Sequence, residues 1–391
     1  MKTIRAHLFR RDLRLADHPI WQETEETPTI AVVFEPSTSF EPVRKFWRES
    51  VDDLKRRTPH LHWFELSGDP AQAWRSLNER VSITHLSTAL SWNSEEEALL
   101  EAVKTALPHA QWRFFRDQCL HDPDKTRLGA IRSFTPFYHD IKKQPIHGAY
   151  LSRRIAIPAA SNERLSPEEF NGGETAGLTQ LYSYLRHPEG VQNYHERRNG
   201  MLAFLDSSKL SPWLAWGCIS PVRVAHELTE LLSQDSGHEG AEKLLYELYW
   251  REFFKHTSLA LGQTLFSLSG RKHRIPDITA SEEDFERWKL GKTGHRFNDA
   301  NMRELLHTGW MSNRGRQNVA SYWAKSLQGD WRWGARWFSE RLIDYDPESN
   351  WGNWQYLAGV GYDPRDRVFN LDRQAELYDP DGAYQSRWLE G

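Results

Sequence analysis

Residues 3–14 read Thr3-Ile4-Arg5-Ala6-His7-Leu8-Phe9-Arg10-Arg11-Asp12-Leu13-Arg14. A short run that is largely apolar and β-branched or aromatic breaks into charge, which is how a buried strand ends in a loop. The same kind of unit recurs downstream. Thr29–Phe34, Leu61–Leu66, Ile83–Ser87 and Trp112–Phe115 are short and apolar, β-branched or aromatic in part. Between them, Val43–Arg56, Pro70–Arg80 and Ser94–Ala106 carry apolar residues at helical spacing. The last of these has Ser94 as its expected cap, with Glu97 three residues on. Strand and helix in alternation predict an α/β domain over residues 1–140 built on a doubly wound parallel sheet. No G-x-G-x-x-G follows the first strand, so a Rossmann dinucleotide site is not expected.

From about Lys142 to Gly177 the composition shifts to Pro, Gly, Ser, Asn and charge, which predicts an interdomain linker over 141–177. Beyond it, Val222–Leu232, Lys243–Leu261, Ala300–Leu306, Arg316–Leu327 and Trp333–Ile343 keep a helical period. Residues 178–391 are therefore expected to form an all-α domain. A chain of 391 residues with 27% charged and 39% hydrophobic residues is neither disordered nor fibrous. It has no run of 18 apolar residues, so no membrane span is expected. No apolar leader follows Met1, which makes the cytoplasm the default location. Two cysteines, Cys119 and Cys218, are too few for a disulfide framework or a four-thiolate cluster. No H-x-x-x-H or H-E-x-x-H pairs two histidines on one helix face, so no metal is expected.

Net charge is −4, but it is unevenly spread. Residues 287–341 hold eleven Lys/Arg against four Asp/Glu, a local +7 that leaves −11 for the rest. That stretch is either a solvated surface of ion pairs or a face for an anionic polymer. Tryptophan is also uneven, with 12 of 18 residues after position 200. Helical cores are built mainly from Leu, Ile, Val and Phe, so the excess suits base stacking, a planar cofactor or electron relay as well as packing.

Several motifs carry chemistry. In Asp206-Ser207-Ser208-Lys209-Leu210-Ser211-Pro212-Trp213, hydroxyls, a lysine and a helix start can converge on a diphosphate, or simply cap a helix. Gly291-Lys292-Thr293-Gly294 lacks the upstream glycine of a P-loop, since Glu286 stands there. In Glu247-Leu248-Tyr249-Trp250-Arg251-Glu252-Phe253, a carboxylate and an indole share one helix face. Such a pair could read an extruded base, or form an ion pair with Arg251 beside a core Trp. Gly309-Trp310-Met311-Ser312-Asn313-Arg314-Gly315-Arg316-Gln317-Asn318 and Leu342–Tyr356 are dense in Arg, Asn, Asp and aromatics. Burying them demands pairing or a polar ligand; otherwise they are solvated interhelix loops.

With these motifs in order, the chain resembles the photolyase/cryptochrome flavoproteins over almost its whole length. Phe9-Arg10-Arg11-Asp12-Leu13-Arg14-Leu15 with Asp17, and Phe134-Thr135-Pro136-Phe137, are similar to the family's signatures in and leaving the α/β domain. The resemblance implies an antenna domain followed by a helical domain that encloses FAD. In photolyases, excited reduced flavin donates an electron that splits a pyrimidine dimer. Carried over by position, Tyr194, Ser207, Ser208, Lys209, Leu210, Ser211, Arg251, Arg316, Asp344, Asp346 and Asn350 would hold FAD. Glu247 would bond the dimer's carbonyl edge, Trp250 and Tyr356 would stack on its bases, and Asn313 and Gln317 would complete the site. Arg314 would meet DNA phosphates, and Trp354 and Trp331 would relay electrons.

Gln317, Tyr356, Asp344-Tyr345-Asp346-Pro347 and Gly359-Val360-Gly361 resemble the cryptochrome-DASH branch. That branch adds single-stranded or looped-out dimer-containing DNA as the expected partner of a monomer. Asn313 stands where (6-4) repairers place a histidine. The position of the family's third relay tryptophan is Ile278, which leaves Trp323 or Trp333 to complete an exit path. A folate antenna (5,10-methenyltetrahydrofolate) would lie near Glu95. The rival to light-dependent dimer repair is a photoreceptor that binds FAD and signals; a third reading is a flavin-dependent nucleic-acid binder without photochemistry.

Overall fold

A computed structural model describes residues 3–21, 28–123, 127–146 and 170–390. Five parallel strands, β1 (Arg5–Phe9), β2 (Ile30–Phe34), β3 (His62–Leu66), β4 (His85–Ala89) and β5 (Gln111–Phe115), form one sheet in the order β3-β2-β1-β4-β5. Leu8 pairs with Val32 on one side and Thr88 on the other, so β1 is central and the winding reverses beside it. Its residues Ala6–Phe9 are buried on both faces, so the strand is largely apolar rather than alternating, with His7 the one polar side chain among them. Helices α1 (Glu41–Arg57), α2 (Pro70–Val81) and α3 (Ser94–Ala106) cross over between strands. Trp74, Leu77, Leu100 and Val103 from α2 and α3 cover one face; Phe46, Trp47, Val51 and Leu54 from α1 belong to the core on the other.

The expected cap of α3 is corrected. Asn93, not Ser94, is the cap: its Oδ1 accepts from the backbone N–H groups of Glu95 and Glu96, both at 3.0 Å. Ser94 is already the first helical residue. An Asn side chain reaches both orphan donors from one position earlier, which leaves the serine hydroxyl without a capping task.

The remaining described residues are mostly helical: α4 (Phe134–Ile141), α5 (Glu174–Arg186), α6 (Tyr194–Arg197), α7 (Ser211–Ala215), α8 (Pro221–Gln234), α9 (Glu239–Leu261) and α10 (Glu282–Lys289). It continues through α11 (Arg296–Thr308), α12 (Asn313–Ser321), α13 (Trp331–Arg341), α14 (Pro347–Ala358), α15 (Leu371–Tyr378) and α16 (Ala383–Glu390). Helix α5 begins inside the expected 141–177 linker, and residues 147–169 of that stretch lie outside the described residues.

The two parts share one apolar core. It runs from Phe9 and Val33 of the sheet through Phe46 of α1 to Leu181, Trp213, Val224 and Phe253 of the helical part. The backbone seam is equally close. Leu13 N–H donates to Trp216 O at 3.2 Å, and a Cβ on Gly217 would stand 1.9 Å from Arg11 O. Gly217 also has φ +65°, so both space and conformation require glycine there. Glu252 of α9 accepts from the N–H groups of Leu120 and His121 at 2.8 and 2.9 Å, which pins the helix to the segment after β5.

Candidate functional site

The site is built around α9, α12 and α14. On α9, Arg251 and Lys255 are four residues apart and so share a face. Asp346, the cap of α14, lies opposite: its Oδ2 is 3.1 Å from Arg251 and 3.3 Å from Lys255, while its other oxygen accepts from Ser349 N–H at 3.0 Å. Burial alone would raise the Asp346 pKa, but the two cations hold it well below the usual carboxylate range. Lys255 also pairs with buried Glu348 at 2.6 Å. Arg251 is oriented by Gln118, whose backbone O accepts from it at 2.6 Å and whose side-chain oxygen accepts a second bond. Arg316 of α12 makes a two-pronged contact with Asp344, 2.9 and 2.7 Å. Asn350 of α14 donates to Ala335 O at 3.0 Å.

A second cluster gathers the serine-rich segment. Lys209, buried, sits with its ammonium 3.8 Å from the Trp310 ring centroid, and Trp310 Nε1 donates to Ser211 at 3.4 Å. Ser208 O accepts from Gln180 at 2.9 Å; Leu210 and Tyr194 are buried, and Ser207 is half-buried. Burial lowers the Lys209 pKa and raises that of neighbouring Glu304, whose carboxylate accepts from Tyr384 at 2.7 Å. Arg316 lies within electrostatic reach of both, which links this cluster to the Asp344 pair.

The polar groups that would face a lesion are less concentrated. Glu247, a quarter exposed, is held by Arg198 at 3.2 Å and Lys243 at 3.1 Å. Arg314 donates to Asn199 at 3.1 Å and to Gln317 at 2.9 Å, and its guanidinium lies over Tyr378. Asn313, at the start of α12, is exposed. Tyr356 meets Trp250 edge to face at 6.1 Å. The face of Trp250, however, is stacked on Phe134 at 3.7 Å and 7°, so a base stacking on this indole has at most its other face. Of the two tryptophans expected to relay electrons, Trp354 packs on Trp288 and Phe338, and Trp331 on Trp351.

Sequence reasoning missed Lys255, Arg198, Glu304 and Gln118. Lys255 had a signal, its place one turn beyond Arg251; the other three reach the site only through tertiary packing. Six of the eleven cations in the +7 stretch, Arg287, Lys289, Arg296, Arg316, Lys325 and Arg332, pair with carboxylates, and all but Asp330 of those carboxylates lie outside it. Gly291-Lys292-Thr293-Gly294 is a turn capped by Asp299, which accepts from the N–H groups of Thr293 and Gly294 at 3.0 and 2.9 Å.

The chain was then compared with known proteins. Residues 5–155 match the family "DNA photolyase", and residues 244–391 match "FAD binding domain of DNA photolyase". A cryptochrome DASH of Gloeobacter violaceus is 36% identical over 97% of this chain and 84% of its own length. The chain belongs to the photolyase/cryptochrome family, on its cryptochrome-DASH branch. A Synechocystis cryptochrome DASH is 46% identical over 60% of this chain, a match that spans only about half of that relative, 48%. The crystal structure of a Synechocystis cryptochrome superposes with TM-score 0.86 at 33% identity, covering 100% of this chain and 90% of that one. A class III photolyase from Agrobacterium tumefaciens gives 0.80 at 27%, covering 99% and 87%.

This cryptochrome-DASH family member has the photolyase FAD-binding domain, and its own side chains fit the cofactor. Lys209 is a buried cation with no carboxylate at ion-pair distance among the described residues, a deficit that a diphosphate would meet. Asp346 Oδ2 and both amide atoms of fully buried Asn318 lack hydrogen-bond partners. A flavin ring edge offers the donors and acceptors such atoms need. No described helix is long and apolar enough to cross a membrane.

Proposed function

We propose that this protein repairs cyclobutane pyrimidine dimers in single-stranded or looped-out DNA, driven by light. The observation that carries the reading is that Glu247 and Trp250 stand one turn apart on α9 with Tyr356 edge-on to Trp250 at 6.1 Å, while Arg251 and Lys255 of the same helix hold Asp346. Reduced FAD, when bound and excited, supplies the electron that opens the dimer ring. The chain's part is positioning and electrostatics. Asp346, kept ionised by its two cations, would accept from the flavin's imide N–H, and Lys209 would hold the diphosphate. Glu247 is kept in one orientation by Arg198 and Lys243 and would bond the dimer's polar edge, while Arg314 and Asn313 would guide the strand. Free, buried Cys119 and Cys218 suit a reducing cytoplasm.

A second reading is favoured by one contact. Phe134 closes a face of Trp250, as would suit a photoreceptor that keeps its flavin and takes no lesion. Blue-light irradiation of dimer-containing oligonucleotides, single- and double-stranded, separates the two. Loss of dimers in the light and not in the dark, greater on single strands, is the expected result. Bound flavin with no light-dependent loss would favour the photoreceptor.

A further inference from the structure

Half of the sheet has only one helical layer among the described residues. β2 is apolar throughout, as a strand between two layers is. β4 and β5 begin differently, with His85-Leu86-Ser87 and Gln111-Trp112-Arg113, an alternation that marks strands with one polar face. Leu86 and Trp112 join the apolar cluster beneath α2 and α3. The polar residues point the other way, onto the face where α1 packs with Phe9, Ala31 and Val33, and no residue of β4 or β5 belongs to that core. The register sets them in two rows across the sheet: Arg5 beside His85 beside Gln111, and His7 beside Ser87 beside Arg113.

Arg5, His85, Ser87, Gln111 and Arg113 line a groove of about 370 Å³, within the roughly 300–1,000 Å³ of small-molecule sites. It lies over the first residues of the strands, at the other end from the carboxyl termini where open α/β sheets usually hold ligands. No carboxylate is among its lining residues, and Arg5 forms no ion pair with a described residue. Gln111 is exposed and the other four are half-buried, so the groove opens to solvent. Its walls are already braced. Ser87 Oγ donates to Ala6 O at 3.2 Å, His85 Nδ1 meets Thr84 Oγ1 at 2.9 Å, and the Arg113 guanidinium lies 4.8 Å over the Phe115 ring centroid. Side chains held in this way lose less freedom when a ligand arrives.

The donor set selects the ligand. Two guanidinium forks and an imidazole, with only neutral residues around them, call for an anion. A carboxylate has one charge and two oxygens, enough for one fork. A phosphate monoester carries about −1.5 to −2 charges at neutral pH on three oxygens, so it can meet both arginines and His85 together. We propose that this groove binds a small phosphate ester, its phosphate held by Arg5, Arg113 and His85 and its organic part beside the Gln111 amide. None of these residues belongs to the flavin or lesion clusters, so occupancy of the groove is read independently of repair.

The test is calorimetric titration of flavin-loaded protein, in which the cofactor's own phosphate site is filled. AMP and glucose 6-phosphate separate a nucleotide from a sugar phosphate, and inorganic phosphate reports the anion alone. One of the two esters should bind at a single site about tenfold more tightly than inorganic phosphate. Arg5→Gln should weaken that ester by roughly tenfold or more. Gln111→Glu, which puts a negative charge at an exposed edge position, should weaken it similarly and decides the matter if Arg5→Gln does not fold. Flavin content and thermal unfolding establish that each variant is intact. Absence of ester binding, equal affinity for inorganic phosphate and both esters, or unchanged ester affinity in the folded variants would overturn the assignment.

Discussion

At the end of β1, His7, Asp12 and His18 form a buried polar cluster; between α9 and α14, Arg251, Lys255, Asp346 and Glu348 form another. In the first, Asp12 Oδ2 accepts from both histidines at 3.0 Å and Oδ1 accepts from Arg10 N–H at 2.7 Å. His7 Nδ1 meets Ser87 at 2.9 Å, and His18 Nδ1 accepts from Ile20 N–H at 3.1 Å. The proton of His18 is thereby fixed on Nε2, so the three side chains satisfy one another although their ligand atoms lie within 4.8 Å. In the second cluster, charge is balanced but Asp346 Oδ2 has no hydrogen-bond donor. A buried polar group left in that state costs stability and is kept where it serves a ligand. The first cluster is a self-contained strut; in the second, one carboxylate oxygen is held by charge but by no hydrogen bond.

The contrast can be broken by paired substitutions. Asp346→Asn removes the counter-charge of two buried cations and should cost about 3–5 kcal/mol in chemical unfolding, together with most of the bound flavin. Asp12→Asn should cost roughly 2 kcal/mol and leave flavin per folded chain unchanged. Equal flavin loss in both variants would erase the distinction.

A smaller effect probes the seam between the two regions. Burial would raise the Glu252 pKa, but hydrogen bonds from His121 and His256 and from Leu120 N–H bring it from the ordinary 4.5 down to about 2. A depressed pKa contributes stability that is complete above the unfolded value and is lost as pH falls toward the folded one. Unfolding midpoints should therefore drop as pH falls from about 4.5 toward 2, and Glu252→Gln should flatten that dependence while costing roughly 2–3 kcal/mol at neutral pH. An unchanged acid limb in the variant would show that Glu252 is not the clamp.

Much of this was legible beforehand because local period reports local structure. The five strands and the helices from Val43, Pro70, Lys243 and Trp333 emerge within a few residues of their sequence limits. The cap of α3 was misread because Ser and Asn are equally good caps and stand side by side. The site residues on α9, α12 and α14 could be named from their motifs, but their partners could not. Arg198 against Glu247, Gln118 on Arg251 and Phe134 on Trp250 join residues 49, 133 and 116 positions apart. Charge counting failed for the same reason: the cations after residue 286 find carboxylates such as Asp366 and Glu390, which lie near only in space. Ring contacts among the tryptophans, such as Trp354 against Trp288, likewise have no trace in spacing.

The placement of Glu247 at the lesion is tested most directly by the repair yield per absorbed photon on a single-stranded oligonucleotide with one pyrimidine dimer, the flavin being reduced beforehand. The unmodified chain should remove the dimer in light alone, and Glu247→Gln, with flavin content intact, should lower the yield by about tenfold, the worth of one charge-assisted hydrogen bond. Equal yields from the two proteins would contradict the assignment of Glu247 to the dimer.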